Sequence, residues 1–299
     1  MASAPEKREA EKESYPFNRN FNSSVRINYN HWLVKEASGY LLHPRIEIDK
    51  ERARIADIGT GTGWATIHLH LFGFRTDLLL SIWLLELSES FQSPAKLDGF
   101  DISAAQYPPK EWLPENVEFF THDAFKPFPQ GILGTYDVVH LRFALCYVND
   151  EDAEPLLNNL ISLLKPGGFI QWFEPEPYKT AVSQPNTSKP SIAMAELRQK
   201  WIKPKPTSTY NWVEGLPQLY EKNGLSVIES HHIPQKNRHK QLWTHSNLLG
   251  LEDLTKNSMV AGTEAEGKIR AFMQLLEEEA ERGISCDTPW ICVLGRKSG

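Results

Sequence analysis

An acid followed by three glycines at alternate positions is the part of this sequence whose residue types and spacing indicate chemistry most directly. Asp57 lies in the apolar run 55–58, and Gly59, Gly61 and Gly63 follow it. Glycine suits a tight turn that brings the backbone close to a ligand, because it has no Cβ and adopts positive φ freely. Backbone amides at the start of a following helix also attract electron-rich groups. We therefore expect a ligand-binding turn between a buried parallel strand and a helix; a glycine turn without a ligand is the alternative.

The spacing of these glycines separates two classes of ligand. A dinucleotide fingerprint has the pattern G-x-G-x-x-G, but here Trp64 stands at the third glycine position and Gly63 comes one residue early. The pattern D-x-G-x-G-x-G that begins at Asp57 resembles motif I of the class I S-adenosylmethionine (SAM)-dependent methyltransferases. A nicotinamide-dependent oxidoreductase is therefore the disfavoured alternative.

A second acid ends the next predicted strand, 97–103, but it lies unusually far along the chain. In nucleotide-binding α/β units, the acid that holds the ribose follows the glycines by about 20 residues. Asp101 follows Gly59 by 42 residues. In the fungal small-molecule methyltransferases that this chain resembles, a helix similar to residues 82–87 comes directly after the glycines. Without the 18 residues 64–81 the spacing would be 24, which is close to the expected value.

Two interpretations of the extra length remain open. In the first, which we favour, residues 64–81 are a family-specific insertion or a retained intron. Residues 82–91 then form the helix after the glycines, and 64–81 loops out beside the ligand. In the second, 64–72 is that helix and 73–96 is a long variant loop, so that 82–91 must lie elsewhere.

A third acid, Asp123, comes at the end of the predicted strand 117–124. Together with the small residue Ala124 it resembles the adenine-side motif of the same methyltransferases. The resemblance implies that the acid accepts from the adenine amino group and that Ala124 leaves room for the ring. The alternative is an aspartate that caps the following turn.

The next predicted strand, 136–143, carries His140 near its C-terminal end. Its apolar centre is typical of a parallel strand that is buried on both faces, and doubly wound sheets bind ligands at the C-terminal edge. His140 is thus a candidate catalytic base, although we favour a packed, hydrogen-bonded histidine beside the cofactor. The Asn-Pro-Pro-aromatic signature of many methyltransferases that act on nucleic-acid amino groups is absent at this place, which favours a different class of substrate.

The last motif is a helix followed by Leu-Lys-Pro-Gly-Gly and a strand. Residues 150–164 are predicted to form the helix with Asp150 as its N-cap, and 169–174 to form the fifth strand. Gly167 would supply a left-handed helix end, and Pro166 would help to stop the helix. This combination also resembles the class I methyltransferases.

These patterns predict an α/β fold with a doubly wound, Rossmann-like sheet of seven mostly parallel strands, helices on both faces and a helical lid. We expect residues 1–22 to be a disordered tail and 23–299 to be one methyltransferase domain, with lid helices on the substrate side within 175–224 and 234–288. The other predicted elements are helices at 23–42, 191–202, 213–223, 246–256 and 264–282, and strands at 53–58, 225–233 and 289–296.

The composition restricts the partners and the compartment. The 299 residues carry a net charge of -6 without a basic run, which disfavours nucleic-acid binding, because such proteins concentrate Lys and Arg on one face. Cys146, Cys286 and Cys292 are too few and too scattered for a disulfide framework or a zinc site, so we expect neither. The sequence has no recognisable signal peptide and no uncharged stretch of membrane-spanning length. We therefore expect a cytoplasmic protein that does not bind membranes.

Together the motifs resemble the class I SAM-dependent methyltransferases over roughly residues 25–297, and the fungal enzymes of secondary metabolism are nearest in pattern. The resemblance implies SAM as the cofactor. The cofactor-binding residues that it implies are Asp57 at the methionine amino group, Gly59, Gly61 and Gly63 around the methionine portion, Asp101 at the ribose, Asp123 and Ala124 at the adenine, and His140 beside the cofactor.

The reaction that the resemblance implies is transfer of a methyl group to an oxygen or nitrogen atom of a small molecule. A general base is required only if the acceptor is protonated at neutral pH, and the candidates are His140, Glu174 and His31. The aromatic residues that would line a pocket for an aromatic acceptor, or would instead belong to the core, are Trp32, Tyr147, Trp172 and Trp243. A regulatory or inactive protein of the same fold, whose cofactor site is perturbed by residues 64–81, is the alternative function.

Overall fold

The structure is a computed structural model that describes residues 21–61, 83–91, 94–185, 189–202, 210–258 and 263–299. Gly63, the segment 64–81 and the first 20 residues of the predicted tail lie outside the described residues. The first helix, α1 (Phe21–Ser38), begins two residues before its predicted start at residue 23, so Phe21 and Asn22, which were assigned to the tail, are helical.

A seven-stranded sheet forms the centre of the fold, which confirms the predicted fold class. The described residues form the strands β1 (Arg54–Ile58), β2 (Lys96–Asp101), β3 (Val117–Thr121), β4 (Tyr136–Arg142), β5 (Leu164–Pro175), β6 (Ala181–Ser183), β7 (Leu225–Ile233), β8 (Ser285–Asp287) and β9 (Trp290–Lys297). All of these except β6 and β8 belong to the main sheet. Their order in the main sheet is β3-β2-β1-β4-β5-β9-β7. The first five strands are parallel, and β9 runs antiparallel to both of its neighbours.

Helices cover both faces of this sheet, and each face has its own apolar core. The helices after α1 are α2 (Trp83–Ser88), α3 (Ala153–Leu163), α4 (Ile192–Ile202), α5 (Asn211–Glu214), α6 (Leu216–Lys222), α7 (Asn237–Ser258) and α8 (Glu264–Glu281). On one face Leu156 and Leu160 of α3 pack in a cluster with Val139 and Trp172 of the sheet. Burial of such side chains is the main force that holds the layers together.

The strand order reverses between β1 and β4. From β1 the chain continues to β2 and β3 on one side of the sheet, and it then returns to β4 on the other side of β1. The connections therefore diverge at the carboxyl ends of β1 and β4 and leave a crevice there, which is where open α/β sheets bind ligands.

The short helix α2 packs against the sheet between β1 and β2 in chain order. Its residues Trp83, Leu84 and Leu87 are buried in the second apolar core together with Ile55 of β1 and Leu97 of β2. Of the two segments predicted to compete for this place, the one that contains α2 thus packs on the sheet. The competing segment 64–72 lies outside the described residues.

Both ends of helix α3 differ from the prediction. Asp152, not Asp150, is the N-cap residue of the helix, and Asp150 instead accepts a hydrogen bond from the backbone N–H of Trp212, at 3.1 Å. Gly167 has the predicted left-handed backbone, with φ of +77°. It lies within β5, however, rather than at the end of the helix.

The reason for the position of Gly167 is a β-bulge. Leu164 of β5 pairs with Tyr136 of β4, whereas Phe169 pairs with Val138. Between these two pairs β5 therefore has more residues than β4. Glycine in the left-handed region accommodates such a bulge.

Three further differences concern α1, α7 and a second sheet. Helix α1 ends at Ser38 rather than 42, because Gly39 has φ of +83° and closes the helix with a hydrogen bond from its N–H to the Lys35 carbonyl. Helix α7 begins at Asn237, nine residues before its predicted start. Strands β6 and β8 form a separate antiparallel pair that was not predicted.

Candidate active site

A cavity of about 340 Å³ opens at the carboxyl ends of β1, β2 and β4. Arg26, Ile27 and Asn30 of α1 line it, and the other lining residues include two walls of different composition. We call the first the strand-end wall, whose residues include Asp57, Gly59, Gly61, Asp101, Asp123 and Arg142. We call the second the helix wall, whose residues include Leu197 and Arg198 of α4 and Trp243, Asn247, Gly250 and Leu251 of α7.

The glycine turn after β1 forms one edge of the strand-end wall. Gly59 and Gly61 have φ of +64° and +61°, values that favour glycine. A Cβ on Gly59 would approach the Tyr147 hydroxyl to 3.0 Å, so the position is also sterically tight. The Thr60 hydroxyl is buried and has no hydrogen-bond partner among the described residues. The turn therefore presents glycine backbone and one unsatisfied hydroxyl at the cavity.

Asp101 ties the end of β2 to this turn. One of its carboxylate oxygens accepts from the Gly61 N–H at 2.9 Å, and the other accepts from the Ser103 N–H at 3.1 Å. These two hydrogen bonds hold the Asp101 carboxylate beside the glycine turn, where it lines the cavity. The predicted acid thus lies next to the predicted glycines despite their separation of 40 residues.

Asp123 and Ala124 line the same cavity beyond β3. The Asp123 carboxylate accepts from the Phe125 N–H at 3.0 Å, so this aspartate does cap the following turn. The Ala124 carbonyl accepts from the Asn159 side chain at 2.9 Å. Turn capping and a position on the cavity wall are therefore compatible for Asp123.

Asp57 is held from behind by His140. The two residues are paired in register on β1 and β4, and the distance between His140 Nδ1 and Asp57 Oδ1 is 2.7 Å. The His140 ring stacks on the Trp83 ring of α2, with centroids 3.8 Å apart. Burial lowers the pKa of His140, so the ring is neutral and donates its Nδ1–H to the carboxylate. His140 is not among the residues that line the cavity, and this position fits a packed histidine better than a base that contacts substrate.

His31 of α1 has both ring nitrogens occupied. Arg142 Nη1 donates to His31 Nδ1 at 2.7 Å, and His31 Nε2 lies 2.7 Å from a carboxylate oxygen of Glu86. Burial, together with the nearby cations Arg142 and Lys35, lowers the pKa of His31 to about 2. The ring is therefore neutral, donates from Nε2 to Glu86, and has no free nitrogen with which to act as the predicted base.

Glu174 lies in the core rather than on the cavity wall. One carboxylate oxygen accepts from the Ala144 N–H and from the Trp172 indole N–H, each at 2.7 Å, and the other accepts from the Leu145 N–H at 3.1 Å. Burial raises the pKa of Glu174 to about 8 against the effect of these three donors. Glu174 thus fixes the turn after β4, including Tyr147, rather than contacting a substrate.

The four aromatic candidates divide between pocket and core. Tyr147 and Trp243 line the cavity. Trp172 is fully buried and packs on Trp212 with ring centroids 5.4 Å apart. Trp32 is 43% exposed on α1 and does not reach the cavity.

Arg142 is a cavity residue that was not predicted from the sequence. It is the last residue of β4 and lines the strand-end wall. Burial lowers its pKa to about 10, which still leaves it a cation at neutral pH. Its place at the C-terminal end of a central strand is the one signal in the sequence that could have identified it.

One cluster away from the cavity has residue types that bind metals. His43, Glu229 and His231 bring potential ligand atoms within 4.8 Å of one another. However, His43 Nδ1 accepts from the Arg45 N–H at 3.2 Å, and the Arg45 guanidinium lies 3.6 Å from the Glu229 carboxylate. A metal-bound histidine normally donates from its second nitrogen, so this arrangement is that of an ion pair.

The helices of the described residues include none with a stretch long and apolar enough to cross a membrane.

The fold and the strand-end wall are those of a ligand-binding α/β domain. A family model described as a methyltransferase domain matches residues 29–230, which is more than half of the chain. The chain therefore belongs to the methyltransferase-domain family.

Curated relatives of the chain are also methyltransferases. The chain is 34% identical over 151 residues to methyltransferase grgD of a Penicillium species, which covers 50% of this chain and 48% of that protein. It is 30% identical over 164 residues to N-methyltransferase verN of Clonostachys rogersoniana, which covers 55% of this chain and 51% of that protein. The chain thus spans about half the length of the curated relatives it matches.

A solved structure supports the fold assignment. In a Haloferax volcanii complex of the Trm112 methyltransferase activator with a methyltransferase, one chain superposes with a TM-score of 0.51 and 14% identity, and the alignment covers 94% of this chain and 96% of that one. At this level of identity the likeness concerns the fold alone.

Proposed function

We propose that the protein is a SAM-dependent methyltransferase that transfers a methyl group to an oxygen or nitrogen atom of a small-molecule acceptor. The observation that carries this proposal is the strand-end wall: acids at or just beyond the ends of β1, β2 and β3 line one cavity with the glycine turn. An ammonium group, two ribose hydroxyls and an adenine amino group are all hydrogen-bond donors, and carboxylates accept from each of them. The family match and the names of the relatives support the same reaction.

The cavity residues fit this cofactor one by one. Asp57 would accept from the methionine ammonium, Asp101 from the ribose hydroxyls and Asp123 from the adenine amino group. Gly59 and Gly61, with Gly63 by resemblance, would let the backbone approach the methionine portion, because a side chain would block that approach. The buried Thr60 hydroxyl, which has no described partner, would gain one.

The chemistry supplied by bound SAM is a methyl group on a positively charged sulfur, and this chain would contribute alignment and exclusion of water. None of the three candidate bases lines the cavity among the described residues. His31 and His140 instead orient Arg142 and Asp57, and Glu174 orients the turn that carries Tyr147. We therefore propose that catalysis rests on positioning an acceptor that is already nucleophilic, without proton removal by these three residues.

The acceptor would bind between the turn after β4 and the helix wall. Tyr147 and Trp243 provide aromatic surface there, and Asn247 provides a polar group. The cavity has the size of a small-molecule site, and the net charge of -6 does not favour a nucleic-acid substrate. The relative verN is named an N-methyltransferase, which supports nitrogen as one of the two possible acceptor atoms.

The test is isothermal titration calorimetry of S-adenosylhomocysteine (SAH) with the whole chain. We expect a micromolar dissociation constant, and we expect no binding of NADH. Retained folding without SAH binding would contradict the enzyme and favour a regulatory protein of this fold. Binding of NADH in place of SAH would favour an oxidoreductase. If SAH binds as expected and NADH does not, the next step is to screen acceptors with labelled SAM.

A further inference from the structure

Arg142 presents a cation to the cavity without a described counter-ion. Its Nη1 donates to His31 Nδ1 at 2.7 Å, and no carboxylate of the described residues lies within ion-pair distance of its guanidinium. A partly buried cation is costly unless an anion or several acceptors compensate it. The residue lines the cavity, so the cavity is where such an anion would bind.

A relay of three side chains holds this guanidinium in place. His31 contacts Glu86 of α2 at 2.7 Å through Nε2, and the second carboxylate oxygen of Glu86 pairs with Lys35 of α1. The group in direct contact with Arg142 is therefore a neutral imidazole and not the carboxylate itself. A neutral partner fixes the orientation of Arg142 but leaves its positive charge available for a ligand.

The neighbouring strand supplies the opposite charge. Asp57 of β1 pairs in register with His140 of β4, and Arg142 is two residues further along β4, on the same face of the sheet. Asp57 and Arg142 both line the cavity, yet they form no ion pair with each other. An acid and a guanidinium that are close but separate match the ammonium and carboxylate of an α-amino acid.

We propose that Arg142 is the receptor for a carboxylate in this cavity, held in place by the His31–Glu86–Lys35 relay. The inference rests on the proposed function, because the methionine end of SAM carries such a carboxylate beside its ammonium. A carboxylate of the acceptor has the same chemistry, and the experiment separates the two sources. The guanidinium fork suits a carboxylate because it offers two parallel N–H donors.

The experiment compares two ligands that differ in the amino-acid portion. SAH has the methionine-derived ammonium and carboxylate, whereas 5′-deoxy-5′-methylthioadenosine retains the nucleoside and lacks both. We expect Arg142→Met to weaken SAH binding by roughly 30- to 100-fold in calorimetry, in line with removal of one partner of a buried charge pair. Binding of methylthioadenosine should change by less than about threefold.

A matched control and a relay variant sharpen this comparison. Arg270 is a guanidinium outside the cavity, on α8, where it pairs with Glu266 of the same helix at 2.6 Å. Arg270→Met should leave SAH binding within about threefold of wild type. Glu86→Ala removes the acceptor that orients His31, so it should weaken SAH binding by roughly 5- to 10-fold and leave methylthioadenosine unchanged, with Arg142 intact.

Each outcome decides the proposal. If Arg142→Met loses SAH binding but keeps methylthioadenosine binding, Arg142 binds the carboxylate of the cofactor. If SAH binding is unchanged but benzoate binds the SAH complex of wild type and not that of Arg142→Met, the carboxylate belongs to the acceptor. If Arg142→Met weakens the binding of SAH and of methylthioadenosine equally, or changes the binding of neither SAH nor benzoate, Arg142 is not the carboxylate receptor. A folded wild-type chain that binds neither nucleoside overturns the proposed function itself, and this inference with it.

Discussion

The two walls of the cavity are built in different ways. The strand-end wall carries charged groups beside the glycine turn, and each of these charged groups is fixed by a short hydrogen bond to the backbone or to a neighbouring ring, as in Asp101 with Gly61 and Asp57 with His140. The helix wall is mainly apolar, hydroxyl and amide surface from α4 and α7, with Arg198 as its charged residue. Fixed charges suit a ligand with several polar groups, and a mainly apolar wall suits a less polar ligand.

The origin of the two walls in the chain differs too. The acids of the strand-end wall lie at or just beyond the ends of their own strands, so a few consecutive residues of the sequence contain both the strand and its acid. The helix wall is assembled from α4, α7 and β8, which are separated along the chain by other elements. A few local substitutions therefore alter the first wall, whereas the second depends on long-range packing.

The largest effect is expected from the helix that supports the strand-end wall. Trp83 is 2% exposed and stacks on His140, so Trp83→Ala should lower the free energy of unfolding by about 3–5 kcal/mol. Urea denaturation measures this change. Trp32→Ala is the matched control, because that tryptophan is 43% exposed and its removal should cost less than about 1 kcal/mol. Equal costs for the two variants would mean that α2 is not docked on the sheet.

The second largest effect is expected from the removal of one fixed charge of the strand-end wall. Asp57→Asn keeps an oxygen for the His140 N–H but removes the charge that would meet the methionine ammonium. We expect SAH affinity to fall by on the order of 100-fold, or about 2–3 kcal/mol, in calorimetry.

Asp137→Asn is the control for this charge, because Asp137 lies at the start of β4 and pairs with Lys165 at the opposite edge of the sheet. Its SAH affinity should match that of wild type. If both variants lose affinity alike, the effect reflects global electrostatics and not a specific contact.

Some parts of this arrangement could be predicted from the sequence, and others could not. The strands, the order of the acids and the glycine turn could be predicted, because each is a local pattern in which period, acid and turn lie within a few residues. The start of α7 could not: Thr244 and Ser246 are each 1% exposed, so buried polar side chains interrupt the apolar stripe there. The pair β6 and β8 has three residues per strand, too few for a periodic signal.

The environment of the candidate bases was also hidden from the sequence. His31 meets Glu86 across 55 residues and Arg142 across 111 residues of the chain. No local pattern encodes such contacts, so a histidine before the first strand was a reasonable base by type alone. Only packing reveals that both of its nitrogens are used.

A pH effect on stability is the next largest prediction, and it tests the neutral His31 behind the strand-end wall. The pKa of His31 is lowered to about 2 in the folded protein, whereas an unfolded histidine titrates near about 6.5. Between these values only the unfolded state takes up the proton, so stability is lost as the pH falls below about 6.5. The loss is at most about 1.4 kcal/mol per pH unit.

Urea denaturation of wild type and His31→Asn at pH 7 and pH 5 measures this contribution. Wild type should lose up to about 2 kcal/mol more than the variant over this range. His245→Asn, which changes an exposed histidine of α7, should lose as much as wild type. Equal losses in wild type and His31→Asn would contradict a neutral, buried His31.

The smallest effect on SAH is expected from the helix wall, and it tests directly whether the two walls act separately. Leu251 lines the cavity from α7, so Leu251→Trp adds volume where the acceptor is proposed to bind. Leu249→Trp makes the same change two residues away at a side chain that is 51% exposed. SAH affinity should stay within about threefold of wild type in both variants.

Methyl transfer to any acceptor found by screening should fall in Leu251→Trp and persist in Leu249→Trp, because only the first side chain occupies acceptor space. A loss of SAH affinity greater than about tenfold in Leu251→Trp, with Leu249→Trp unaffected, would mean that the cofactor extends to the helix wall. The cavity would then hold one ligand in contact with both walls, and the acceptor would have to enter from another direction. Unchanged SAH affinity with lost transfer would instead assign the strand-end wall to the cofactor and the helix wall to the acceptor.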